Sequence, residues 1–167
     1  MYNNPIAYFI TFSTYGTWLH GDPRSSVMRF NGGSKRLDDQ PNLYAYHHTQ
    51  LSSKPVILDA AQRQVVQEKI IKHCDIRRWR LFALHVRTNH VHIVVKADKS
   101  IDQVSNELKG WPKRILGEQG FKFPKVWTGG SSKVFIFTEN KLKEKIHYVV
   151  YEQGEMMAYY IDEAYRK

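Results

Sequence analysis

The chain has 167 residues, 42% of them hydrophobic, which is the length of one ordinary domain with enough apolar material for a real core. Its 25 Lys and Arg against 16 Asp and Glu give a formal charge of +9 and a pI near 9.6, a balance that favours a polyanionic partner, nucleic acid first. A single cysteine, Cys74, excludes an internal disulfide, no apolar run approaches the about 18 residues that span a bilayer, and the N-terminus lacks a basic region followed by an apolar one, so a cytoplasmic protein without membrane association is expected.

Ala7 to Thr14 is aromatic and β-branched, bounded by Pro5 and Gly16, and reads as a first strand with Tyr8, Ile10 and Phe12 on one face. Leu19 to Lys54 carries GDPRSS, NGGSKR and QPN with little periodicity, longer than a compact domain spends on a plain connection, so this insert is either functional or mobile. Its basic residues Arg24, Arg29, Lys35 and Arg36 are either phosphate contacts or ordinary solvated loop charge. Asp59 with Gln62 forms a capping-box pattern, and Val66, Ile70 and Cys74 follow as the apolar stripe of a first long helix. Leu81 to Val86 and His90 to Ala97 then read as a hairpin around Arg87-Thr88-Asn89.

Ser100 or Asp102 caps a second helix with Val104, Leu108, Trp111 and Ile115 on one side, which Gly110 and Pro112 are expected to kink or split. Lys133 to Thr138 is a fourth strand and Lys141 to about Gln153 a third helix. The order strand, helix, strand, strand, helix, strand predicts an α+β fold: a ferredoxin-like (RRM-like) βαββαβ sandwich with an antiparallel sheet. A long insert, 19–54, follows strand one, a further helix carrying a tyrosine closes the chain, and residues 1–167 are read as one domain.

The chemistry concentrates in Asn89-His90-Val91-His92-Ile93-Val94-Val95. Strand alternation places His90, His92 and Val94 on one face. Residues two apart on that face are about 7 Å apart at Cα, so two imidazoles can converge on one metal ion at about 2.0–2.2 Å. The plainer reading is a polar strand edge. A metal needs a third ligand, and the last helix offers one. At 100° per residue Leu142, Ile146, Val149 and Gln153 point to the core, Tyr148 and Glu152 share one flank at spacing i, i+4, and His147 and Tyr151 fall on the other side. Glu152 would complete the ligands and Tyr148 would attack a phosphate that the metal polarises, with Lys145 one turn earlier favouring the phenolate. Alone, Tyr148 reads as a half-buried helix tyrosine and Glu152 as a solvated carboxylate; their conjunction with His90 and His92 raises them.

NHVHIVV resembles the HUH motif of the single-tyrosine endonucleases, and KIHYVVYEQG resembles the tyrosine helix of that family. AYFITFSTYGTWL and LKGWPKRIL are also similar to bacterial transposases of this type, including the REP-associated tyrosine transposases. The resemblance implies one Mg²⁺ or Mn²⁺ ion on His90 and His92, with Tyr148 cleaving single-stranded DNA to leave a 5′-phosphotyrosine and a free 3′-OH, at hairpins formed by repeats. The chain departs from the family after the tyrosine: relatives often carry Gln or Asn-Pro four and five residues on, where Glu152 and Gln153 stand here. The helical wheel favours Glu152 as third ligand over Gln153, and Tyr151 is the alternative nucleophile. Lys109, Trp111, Lys113 and Arg114, with Arg87 in the hairpin turn, are the candidate DNA contacts, against a reading in which they form a solvated basic face around a core Trp111. In insertion-sequence relatives the partner subunit can supply the tyrosine helix, whereas repeat-associated relatives can act as monomers; a homodimer is expected here. Two other functions stay open: a module that binds single-stranded DNA or RNA without cutting it, through sheet aromatics such as Phe135 and Phe137, and a metal-dependent phosphodiesterase that activates water.

Overall fold

In a computed structural model of the protein, which describes residues 4–24, 26–30 and 33–166, the chain forms β1 (Ala7–Ser13), β2 (Ser26–Phe30), β3 (Gly33–Leu37), α1 (Pro41–Thr49), α2 (Ala60–Arg77), β4 (Arg80–Val86) and β5 (His90–Lys96). It continues through α3 (Ile101–Glu118), β6 (Ser132–Ile136), α4 (Glu139–Tyr151), β7 (Ala158–Ile161) and a closing 3-10 turn (Glu163–Tyr165). Five strands pair antiparallel in the order β6-β1-β5-β4-β7. The first four positions are those of the ferredoxin-like order, and β7 extends the sheet beyond β4.

Both faces of the central strands are covered, which is why β5 reads as an almost unbroken apolar run. On one face Ile10, Phe12, Val91 and Ile93 pack with Val66 and Ile70 of α2 and Val104 and Leu108 of α3. On the other, Phe9, Ala83 and Val94 pack with Leu142, Ile146 and Val149 of α4. The register, Thr11 opposite His92 and His92 opposite His85, puts those three polar side chains on the α4 face among apolar neighbours.

The helix starts follow from local chemistry. Asp59 accepts from Gln62 N at 2.8 Å while Gln62 Oε1 accepts from Asp59 N at 2.9 Å, so two otherwise unpaired donors are satisfied at the start of α2. Ser100 and Gln103 do the same for α3. Burial pushes the Cys74 thiol of α2 up to about 12, so it acts as a packing residue.

Several sequence expectations change. Pro112 does not split α3: its ring is buried in line with Val104, Leu108 and Leu116, a spacing-four stripe that bypasses Trp111 and leaves that indole 38% exposed. The insert holds the β2-β3 hairpin and α1 where irregular loop was expected. β7 was not anticipated, because four residues at a sheet edge carry too little periodicity to register. The side chain of Arg29 lies outside the described residues. No helix among the described residues is long and apolar enough to cross a membrane.

Candidate metal and nucleophile site on the α4 face

Strand pairing assembles the first half of the site. Thr11 on β1 faces His92 on β5, and its hydroxyl lies 2.7 Å from His92 Nδ1. His90 Nδ1 is 2.6 Å from Asn89 Oδ1. A carbonyl oxygen only accepts, so His90 carries its proton on Nδ1 and its lone pair on Nε2. The two imidazoles are 4.6 Å apart between ring centroids. Burial, partly offset by a hydrogen bond to Gln153 and helped by the Arg87 charge, pushes His90 down to about 4. Burial and then the neighbouring His90 push His92 down to about 3. Both rings are therefore neutral at pH 7, the form that binds metal.

The end of α4 supplies the second half. Tyr148 sets its ring edge against His92 at 5.7 Å and against Phe9 at 5.9 Å between centroids, on the inner side of the helix. Lys145 Nζ stands 5.5 Å from the centre of the Tyr148 ring and 5.2 Å from that of Phe9. Tyr151 lies on the other flank, 5.2 Å from the His147 ring.

Glu152 is not brought to the histidines. Its carboxylate is 53% exposed and sits 2.8 Å from His147 Nδ1, on the outer flank of the helix. Gln153 takes the place expected of Glu152: its Oε1 is 3.0 Å from His92 Nε2, and its Nε2 donates to the Tyr148 carbonyl at 3.1 Å. The helical wheel misplaced Glu152 because α4 ends at Tyr151, and Gly154 then takes a left-handed conformation, φ +77°, that turns the chain back over the sheet. Among the described residues no three His, Cys, Asp or Glu side chains form a metal-binding group, and the group that meets the histidine pair from the end of α4 is the Gln153 amide.

Two residues hold this loop in place. His85 is fully buried; it donates from Nδ1 to the Val149 carbonyl at 2.9 Å and accepts from the Met157 amide at Nε2, 3.0 Å. Burial lowers its pKa, so the ring is neutral with one defined tautomer. Arg87 donates from Nη1 to the Glu155 carbonyl, which makes it an anchor of the loop, and burial lowers its pKa as well. Thr11 and His85 escaped sequence reasoning because their roles depend on which strands are neighbours; the only local signal is a polar residue in each of two apolar strands.

The remaining nucleic-acid candidates sit elsewhere. Lys109 Nζ donates to the carbonyls of Thr128 at 2.9 Å and Gly130 at 2.7 Å, bracing the turn before β6. Trp111 tilts against His73 at 5.8 Å and carries the Arg114 guanidinium 4.4 Å from its ring centre. Lys113 is exposed beside a groove that Tyr15 and Lys125 share. All four belong to α3, across the sheet from His92 and Tyr148.

The architecture has a counterpart among solved structures. The structure of a REP-associated tyrosine transposase bound to a REP hairpin is similar over 91% of this chain and 69% of its own, with a TM-score of 0.56 and 13% identity. That likeness shows a common fold. No family model and no curated protein matches the chain.

Proposed function

We propose that the protein is a metal-dependent single-stranded DNA endonuclease and strand transferase of the transposase type, with Tyr148 as nucleophile. The observation that carries the reading is the convergence of His90, His92 and Gln153 on one face with the Tyr148 ring against His92. The donor set fits a divalent ion: two neutral imidazoles and an amide oxygen, with His92 Nε2 and Gln153 Oε1 already facing each other at 3.0 Å. Mg²⁺ or Mn²⁺ held by His90, His92 and Gln153 would polarise a scissile phosphate. These ligands carry no charge, so the balancing negative charge would come from the DNA phosphate itself.

In the proposed step Tyr148 Oη gives up its proton and bonds to phosphorus. The bond from phosphorus to the 3′-oxygen breaks, that oxygen leaves as a 3′-OH with a proton, and the 5′-phosphate stays on Tyr148. Attack by another 3′-OH reverses the step and transfers the strand. The Lys145 ammonium stands beside the Tyr148 ring, 5.5 Å from its centre, where it can meet the scissile phosphate. Thr11 orients His92, and His85 and Arg87 position the loop of Gln153. Tyr148 borders His92 of its own chain, which supports cleavage within one subunit. The formal charge of +9 suits a DNA backbone, and the hairpin bound by the structural neighbour makes a hairpin the first substrate to try.

The test incubates a labelled single-stranded hairpin oligonucleotide with protein and Mn²⁺ and looks for an adduct that survives denaturation. Tyr148→Phe should abolish the adduct and Tyr151→Phe should keep it. Hydrolysis without an adduct would instead identify a phosphodiesterase that uses water, and binding without cleavage a DNA-binding module.

A further inference from the structure

A groove opens beside the histidine pair, between the end of β1, the start of the insert and the turn before β6. We propose that it receives one unpaired nucleobase next to the scissile phosphate, so that the insert is the part of the protein that reads DNA sequence at the cleavage point. The proposal rests on the nuclease reading for its position and on the chemistry of the groove for its ligand.

Position comes first. The groove has a volume of about 620 Å³ and is lined by Thr11 and Ser13 of β1, Trp18 and His20, His47 of α1, and the 128–132 turn. Two of these side chains touch the histidines directly: Thr11 through its hydroxyl on His92, and Trp18 through an edge contact with His90 at 6.3 Å between ring centres. A nucleotide flanking a phosphate on His90 and His92 would therefore face this groove.

Chemistry selects a base over a phosphate. The lining residues bring hydroxyls, two imidazoles, an indole and the peptide groups of Gly129 and Gly130, with no Lys, Arg, Asp or Glu among them. A phosphate site would need cations. Rings with neutral donors and acceptors are what an unstacked base uses, one to stack on and the others to meet its edge. His20 Nδ1 is buried with no hydrogen-bond partner among the described residues, and its ring meets that of His47 at 5.3 Å. A buried polar atom without a partner is uncommon, and a base edge would satisfy it.

The platform is held rigidly. The Arg24 guanidinium lies 4.6 Å from the centre of the Trp18 ring, and it is fixed by Asp22, whose carboxylate is 2% exposed and accepts from Arg24 Nε at 2.7 Å. Arg24 also donates to the Thr17 carbonyl at 2.7 Å. These bonds hold the guanidinium against the indole, so this arginine of the insert acts as a brace for Trp18.

The test has two arms. In the first, hairpin oligonucleotides carrying 5-iododeoxyuridine at successive single-stranded positions are photo-cross-linked to the Tyr148→Phe protein, and the modified peptides are mapped. Cross-links to Trp18, His20 or His47 from a position beside the cleaved phosphate support the proposal; cross-links that map only outside the groove overturn it. In the second, an abasic site is moved through the same positions and the rate of adduct formation is measured with Mn²⁺. One position should slow the wild type about tenfold or more, the loss expected for a forfeited base stack. Trp18→Ala should slow the intact substrate to a similar extent and suffer no further abasic penalty, and Trp18→Phe should restore most of the rate. Full additivity of the two losses would overturn the proposal. If the wild type forms no adduct with any oligonucleotide while the groove still cross-links, the nuclease reading fails and the base site stands; an adduct with cross-links only outside the groove has the opposite meaning.

Discussion

Exchanging Gln153 and Glu152 in turn separates the arrangement seen in the structure from the one the helical wheel expects. Gln153→Ala removes the amide oxygen 3.0 Å from His92 Nε2 and the donor to the Tyr148 carbonyl. Losing a partner just outside a metal's own ligands costs about 10–100-fold in metal affinity. A direct donor should cost at least that, or about 1.4–2.8 kcal/mol. His92 Nε2 also loses its hydrogen-bond partner, at about 1–3 kcal/mol of stability, while the Tyr148 carbonyl keeps the Glu152 amide. Glu152→Ala removes only an exposed contact with His147 and should change little. The assay is the rate of covalent adduct formation against Mn²⁺ concentration. The half-saturating Mn²⁺ should rise at least tenfold in Gln153→Ala, stay within about twofold in Glu152→Ala, and fall in Gln153→Glu, whose carboxylate adds the missing charge. A shift in Glu152→Ala as large as that in Gln153→Ala would refute the assignment.

Three other outcomes are expected. His85→Phe keeps the bulk but loses the bonds to Val149 and Met157, so it should raise the half-saturating Mn²⁺ and lower the melting temperature by about 4–8 °C, for a loss of about 2 kcal/mol; a lower melting temperature with unchanged metal dependence would confine His85 to packing. Lys109→Ala should melt several degrees lower while a salt titration of DNA binding hardly changes, because its ammonium is committed to Thr128 and Gly130; weaker DNA binding at unchanged stability would show the reverse. In the absence of divalent metal the buried histidines make the protein acid-sensitive. His85, His90 and His92 all have folded pKa values below the ordinary value of about 6.5, so the unfolded chain binds more protons below that pH. The contribution of His90 and His92 is complete above about pH 6.5 and is lost as pH falls toward about 4 for His90 and about 3 for His92, at about 1.4 kcal/mol per pH unit each, and His85 acts in the same direction. Denaturant melts at pH 7 and pH 5 with chelator measure this, and equal stabilities would contradict it.

Much of the fold was legible because its signals are local. Asp59 with Gln62 and Ser100 with Gln103 mark helix starts by satisfying their own backbone donors. Period-two alternation in Ala7–Ser13 and His90–Lys96 sorts side chains to two faces whatever lies on them. The misreadings arose where a local rule was carried past its end. The spacing that grouped Trp111 with Leu108 fails because the buried line runs through Pro112, and the wheel that paired Glu152 with Tyr148 fails because the helix stops before it.

The sequence by itself determined the order of four of the strands and of the three longer helices, the basic character, and the placing of His90 and His92 side by side on one strand face with a tyrosine helix downstream. Those properties depend on neighbours within a few residues, and backbone geometry enforces them without reference to the rest of the chain. Only the tertiary structure decided that Gln153 closes the group, that Arg87 and Lys109 brace loops, and that Trp18, His20 and His47 form a groove beside the histidines. The contacts that bring these parts together join residues from 19 to over 100 positions apart. Strand order, register and one left-handed glycine set such distances, and side-chain periodicity carries no record of them.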